Sequence, residues 1–255
     1  MKKPINILIS NDDGIEAEGI RRLAETLSCK GDVYVVAPDG QRSASSHCLS
    51  LHDDLVLTEV DDFPGAKKAW KLTGTPADCV KVGYDILRRE GIMTDIVYAG
   101  INHGANLATD TMYSGTVSAA AEGIFLGLPA VAVSVCSHFP KYFDGACDLA
   151  LAVFDRAMET RGRGCVISLN APNIPREEVK GVKTAKLGTL TYHDWFEEKA
   201  PGVLRYSAAP VFDGSKEPDS DVYLTKNGWA TIAMVKYDLN DYEGLKLAED
   251  WRIIL

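Results

Sequence analysis

Short apolar runs alternate along this chain with stretches whose apolar residues fall on one helical face. The runs occupy residues 5–10 (INILIS), 33–38 (VYVVAP), 95–101 (DIVYAGI), 130–135 (AVAVSV) and 165–172 (CVISLNAP). They are rich in β-branched residues and bounded by turn formers, so they predict strands. They are near-continuous rather than alternating, which predicts a parallel sheet covered on both faces. Between them, residues 18–30 place Ile20, Leu23, Ala24 and Leu27 on one helical face, and residues 76–90, 116–127 and 147–161 follow as helices. Strand–helix alternation of this kind predicts a Rossmann-like, doubly wound α/β fold with a mostly parallel sheet.

The pattern changes near residue 185. Beyond it the chain is richer in Trp, Tyr, Pro and Gly. We expect an α/β catalytic core over residues 1–185 and a C-terminal extension over 186–255. The extension would comprise a hairpin arm, a final strand at 229–239 and a terminal helix at 242–255. Exposed aromatics on such an arm suit a contact between subunits, or equally a lid or surface elaboration.

Composition narrows the function. Of 255 residues, 46% are hydrophobic and 25% charged, with a formal net charge of -9. That balance argues against a basic nucleic-acid-binding face. An anionic substrate would need a local positive centre, most simply a metal ion. The six cysteines, at 29, 48, 79, 136, 147 and 165, form no CxxC and no zinc spacing with histidine, and read as reduced thiols. After Lys2 and Lys3 the apolar run breaks at Asn11, too early for a signal peptide. No stretch approaches the roughly 20 apolar residues of a membrane span. A cytoplasmic protein with no membrane partner is the expectation.

Ligands of open parallel sheets bind beyond the carboxyl ends of the strands. The first strand is followed by Asn11, Asp12, Asp13 and Gly14, the second by Asp39, Arg42 and Ser43, and the third run by Asn102, His103 and Asn106. Taken alone, Asn-Asp-Asp-Gly serves as well for a turn or helix cap as for a metal site. Three such sets on one sheet edge favour a site of hard oxygen ligands suited to Mg²⁺, Mn²⁺ or Ca²⁺. Ser114, Gly115 and Thr116 precede a helix, where free N–H groups either hold a phosphate or are simply capped. Thr75, Pro76 and Asp78 read as a structural helix start. His47 and His103 sit in loops from which either could donate a proton. GxGxxG, Walker and GxSxG motifs are absent.

The segments ISNDDGIEAEGI, VVAPDGQRSASS, TGTPADCV, AGINHGANLATDTMYSGTVSAAAEG and ISLNAP, in this order over residues 5–172, resemble the SurE family of stationary-phase survival proteins, which are 5'/3'-nucleotidases. The resemblance continues more weakly in SDVYLTKNGWATIAMVKYDL. It implies a metal-dependent phosphomonoesterase that hydrolyses nucleoside monophosphates, with a metal-activated water attacking phosphorus. It places one divalent cation, Mg²⁺ or Mn²⁺, on Asp12, Asp13, Ser43 and Asn102. It lines the phosphate site with Asn106, Ser114, Gly115 and Thr116 beside Ser43 and Asn102, and gives catalytic roles to Asp12, Asp13 and Asn106. It further implies a homodimer or homotetramer with exchanged C-terminal segments. The chain departs from the family pattern at Glu18 (usually Pro), Ala44 (usually Gly) and Ala105 (often Pro), none of them a proposed ligand.

The residues also admit three rival readings. A haloacid-dehalogenase-type phosphatase would form an aspartyl phosphate from a DxD motif, but Asn11 stands where the first acid is needed. A receiver-like phosphoacceptor or metal-sensing module also has paired acids after its first strand, yet it needs an Asp where this chain has Asn102. A glycosyltransferase-like or nucleotide-binding protein without hydrolytic activity is the third.

Overall fold

The fold comes from a computed structural model that describes residues 4–212, 214, 216–249 and 251. In chain order the elements begin β1 (Asn6–Ser10), α1 (Glu18–Leu27), β2 (Asp32–Pro38), β3 (Leu57–Glu59), β4 (Lys68–Leu72), α2 (Pro76–Arg89), β5 (Ile96–His103), α3 (Gly115–Phe125) and β6 (Ala130–Val135). There follow α4 (Asp144–Ala152), α5 (Phe154–Met158), β7 (Cys165–Ala171), β8 (Val182–Thr184), β9 (Thr191–Ala200), β10 (Val203–Phe212), α6 (Asp221–Lys226), β11 (Ala230–Lys236) and α7 (Tyr242–Glu249). A 3₁₀ turn, Ala108–Met112, precedes α3.

Nine strands form one sheet in the order β3-β4-β2-β1-β5-β6-β7-β11-β8. From β4 to β7 every pairing is parallel. β3 and β11 run antiparallel to β4 and β7. Successive side chains of β1 point to opposite faces. Ile7 and Ile9 pack with Ile20, Leu23 and Leu27 of α1 and with α4, while Leu8 packs with Val80 and Leu87 of α2 and Val117 of α3. Each such burial is worth about 1.5–3 kcal/mol. This two-sided coverage is why the strands read as unbroken apolar runs, and it bears out the doubly wound fold.

α2 begins as expected. Thr75 Oγ1 accepts from the Asp78 N–H, and Asp78 Oδ2 accepts from the Thr75 N–H, a reciprocal capping box with Pro76 in the first turn. The helix expected over 147–161 is corrected. It starts earlier, at Asp144, is interrupted at Val153 and ends at Met158, so α2, with 14 residues, is longer. The turn beyond it closes on Gly162, whose φ of 78° is left-handed and incompatible with a continuing helix.

The expected arm is the antiparallel hairpin β9–β10. The expected final strand is β11, and it lies inside the main sheet between β7 and β8. The terminal helix is seen as α7; residues 250 and 252–255, like Lys2 and Lys3, lie outside the described residues. Lys186 and Ser220 form an isolated bridge where the arm leaves and returns. Beside it, the Asp221 carboxylate accepts the N–H groups of Ala108, Gly188 and Val222. No helix among the described residues is long and apolar enough to cross a membrane.

Candidate active site

Strand order reverses between β1 and β5. The chain runs outward from β1 through β2 to β4, then crosses back to β5 and continues the other way to β6 and β7. The crevice at such a switch point is where doubly wound proteins bind ligands. Asp12 and Asp13 follow β1 there, and Asn102 and His103 end β5. Asn11 is buried and shapes the turn. Its Nδ2 donates to Gly14 O and its Oδ1 accepts the Gly14 N–H. Between Ala99 and Asn102 the β5–β6 register shifts by one extra residue, a bulge that re-aims the strand end carrying Asn102.

Asp12 is 4% exposed. Burial pushes its carboxyl up to about 6, with the Asp13 charge adding and the hydrogen bond from Thr116 opposing. The Thr116 hydroxyl donates to Asp12 Oδ1. Gly115 is required beside it, because a Cβ there would stand 2.8 Å from Asp12 Cβ and 3.0 Å from both Asp12 Oδ2 and Ser45 Oγ. Asp13 Oδ2 accepts the His103 N–H at 2.9 Å. Asn102 Nδ2 donates to Gly104 O, which leaves its carbonyl oxygen for a ligand. The loop carrying Ser43 is tied down on both sides. The Arg42 N–H donates to Asp12 O at 2.7 Å, and the Ser46 N–H donates to Tyr113 O at 3.0 Å.

These groups fit a divalent cation. The donors are carboxylate, amide and hydroxyl oxygens, the set that hard cations prefer. No basic side chain among the described residues pairs with Asp12 or Asp13; nearby Arg42 pairs with Asp39 instead. The adjacent acids therefore lack a counter-charge, and Ser45 Oγ is buried without a partner. The described residues hold no cluster of three or more His, Cys, Asp or Glu suited to a metal. A cation here would rest on two acids completed by neutral oxygens.

Asp12, Ser43, Asn102, Asn106 and Ser114 line a single cavity of about 440 Å³. Asn106 is held at both ends, its N–H on Asn170 Oδ1 and its Nδ2 on Ser134 Oγ. Ser114 caps α3 by accepting the Val117 N–H. Asp13, Gly115 and Thr116 stand behind this lining, against His103 and Asp12. His103 is at the cavity but His47 is not. His47 Nε2 lies 2.7 Å from Glu122 Oε1, its ring stacked on Phe125. The cavity also draws in Gln41, Asp110, Tyr113, His138 and Phe139, which the sequence reading did not single out. All five sit on loops or turns, where no periodicity marks a side chain as facing a site.

Three comparisons agree. Residues 7–194 match the family model described as survival protein SurE. A 5'-nucleotidase SurE of Gloeobacter violaceus is 42% identical over 259 residues, covering 98% of this chain and 97% of that protein. A 5'-nucleotidase SurE of Clostridium beijerinckii is 39% identical, covering 93% and 95% respectively. The crystal structure of a SurE protein from Aquifex aeolicus superposes with a TM-score of 0.82 at 32% identity, covering 96% of this chain and all of that one. With its motifs in order, its strand ends converging and its whole length matched, this chain belongs to the SurE family.

Proposed function

We propose that this chain is a metal-dependent 5'-nucleotidase that hydrolyses nucleoside monophosphates to nucleoside and phosphate. One observation carries the reading. Four separate stretches of chain deliver Asp12, Ser43, Asn102 with Asn106, and Ser114 to one cavity at the sheet's switch point. Asp12, Asp13, Ser43 and Asn102 would hold one Mg²⁺ or Mn²⁺. When bound, that cation supplies charge neutralisation at phosphorus and an acidified water. Asn106, immobilised by Ser134 and Asn170, presents its amide to a phosphoryl oxygen. Ser114 positions the start of α3, whose N-terminal dipole favours the anion. Asp12 accepts the proton of the attacking water. An aspartyl-phosphate route is disfavoured, because Asn11 cannot be phosphorylated and its side chain is spent on Gly14.

The core–extension division at residue 185 and a dimer or tetramer built through the arm belong to the same proposal. Phe196, Leu204, Tyr206 and Val211 of the hairpin are each more than half exposed, which favours burial against a second copy. The six cysteines are all free, as suits a reducing cytoplasm. The deciding experiment measures phosphate release from a panel of nucleoside monophosphates with Mg²⁺, with Mn²⁺ and with EDTA. We expect release with a metal and none with EDTA. Absence of release under every condition overturns the reading.

A further inference from the structure

We propose that His138 is the general acid that protonates the departing nucleoside oxygen; the assignment rests on the phosphomonoesterase reading above. Imidazole is the side chain whose proton moves most readily near neutral pH, and the cavity is lined by two of them, His103 and His138. His103 offers less to a leaving group. Its ring lies 5.5 Å from that of Phe143 and its Nε2 is buried with no partner, while its backbone N–H holds Asp13.

His138 is exposed to solvent and so can be reprotonated after each turnover. It follows β6, whereas Asp12 follows β1, two strands away in the order β1-β5-β6. Both residues line the same cavity, so a phosphoryl group entering it meets Asp12 from one strand end and His138 from another.

The imidazole is also positioned. A Cβ on Gly104 would lie 3.2 Å from His138 Nδ1 and 3.3 Å from Cε1, so the ring packs directly over that glycine. Gly104 has a φ of 138°, a conformation that favours glycine. The loop itself is anchored. The Cys136 N–H bonds Ala171 O, the Phe139 N–H bonds Ser137 Oγ, and Asn173 Oδ1 accepts the N–H groups of Lys141 and Tyr142.

The step balances. Water oxygen bonds phosphorus as the P–O ester bond breaks with its electron pair going to the nucleoside oxygen. Asp12 takes the water's proton, and the His138 imidazolium gives one to the leaving oxygen.

The test exploits leaving-group chemistry. A nucleoside alkoxide leaves poorly unless protonated, whereas p-nitrophenolate needs no proton. His138→Ala and His138→Gln should lower kcat on adenosine 5'-monophosphate by about 100-fold and leave p-nitrophenyl phosphate hydrolysis within about threefold. Equal losses on both substrates, or no loss on the nucleotide, overturn the assignment while the phosphatase reading stands. If the wild-type protein with Mg²⁺ or Mn²⁺ hydrolyses neither substrate, the reading itself falls and the assignment with it.

Discussion

The backbone N–H of His103 donates to Asp13 Oδ2 across 2.9 Å, joining the end of β5 to the turn after β1. A neutral peptide group thus fixes one acid's orientation without cancelling its charge. Asp12 is fixed likewise by the Thr116 hydroxyl. Two acids aimed by neutral donors, with no basic partner among the described residues, are prepared for a cation.

Asp12→Asn keeps an acceptor for Thr116 and removes the charge. Asn102→Ala removes the free amide carbonyl. Each should lower kcat/KM by about 100-fold or more. Thermal melts with and without Mn²⁺ check the cause. The cation should raise the wild-type Tm, by linkage, and should no longer do so in either variant, while both fold without it.

Gly115→Ala tests close packing. The added methyl meets Asp12 Cβ at 2.8 Å, so either Asp12 or the start of α3 must shift. Overpacking of this kind costs about 1–3 kcal/mol, and a displacement approaching 1 Å at a reacting centre costs about 100-fold in rate. Denaturant unfolding and steady-state kinetics read both effects.

Glu122 carries a pH prediction. It is buried, which raises its carboxyl, but His47 and Lys81, at 2.7 and 2.9 Å, more than offset this and hold it below the ordinary glutamate range. A folded-state value below the unfolded one gives stability that is full above the unfolded pKa, about 4.3, and lost as pH falls through the folded value. Glu122→Gln should therefore cost about 1–3 kcal/mol at neutral pH. The gap to wild type should narrow as pH drops below about 4, read by urea melts across that range.

Ala44 adopts φ 54°, a left-handed conformation that costs a residue with a Cβ about 1–2 kcal/mol. The family pattern usually has glycine at this position. Ala44→Gly should gain stability by roughly 0.5 kcal/mol, the relief of strain exceeding glycine's larger entropy loss on folding. A chemical denaturation curve checks the sign.

The parts of the fold legible in the sequence share one physical circumstance. β1, β2, β5, β6 and β7 are covered on both faces, so nearly every position is apolar. β3 and β8 are three-residue strands exposed at every position, with no pattern to read. β4, KAWKL, carries lysines at Lys68 and Lys71 near the sheet edge. In the site, Asp12 and Asn102 were legible because they directly follow readable strands. Ser45 was not, because only the folded loop buries its hydroxyl against Asp12 and Gly115. His138 was not either, since its place depends on β6 lying beside β5 and on the bare Cα of Gly104.

The bridge between Lys186 and Ser220 gives the arm a single doorway. The arm departs from and returns to the sheet's flank there, and its hairpin β9–β10 pairs with no strand of the nine-stranded sheet. The doorway is also a hinge pin. One carboxylate, Asp221, grips Gly188 at the arm's root and Ala108 at the start of the turn bordering the cavity. Farther along, the Tyr192 hydroxyl grips Asp110 on the cavity wall itself. The arm's root and the cavity rim therefore hang on the same few side chains, so a change at Asp221 or Tyr192 reaches both.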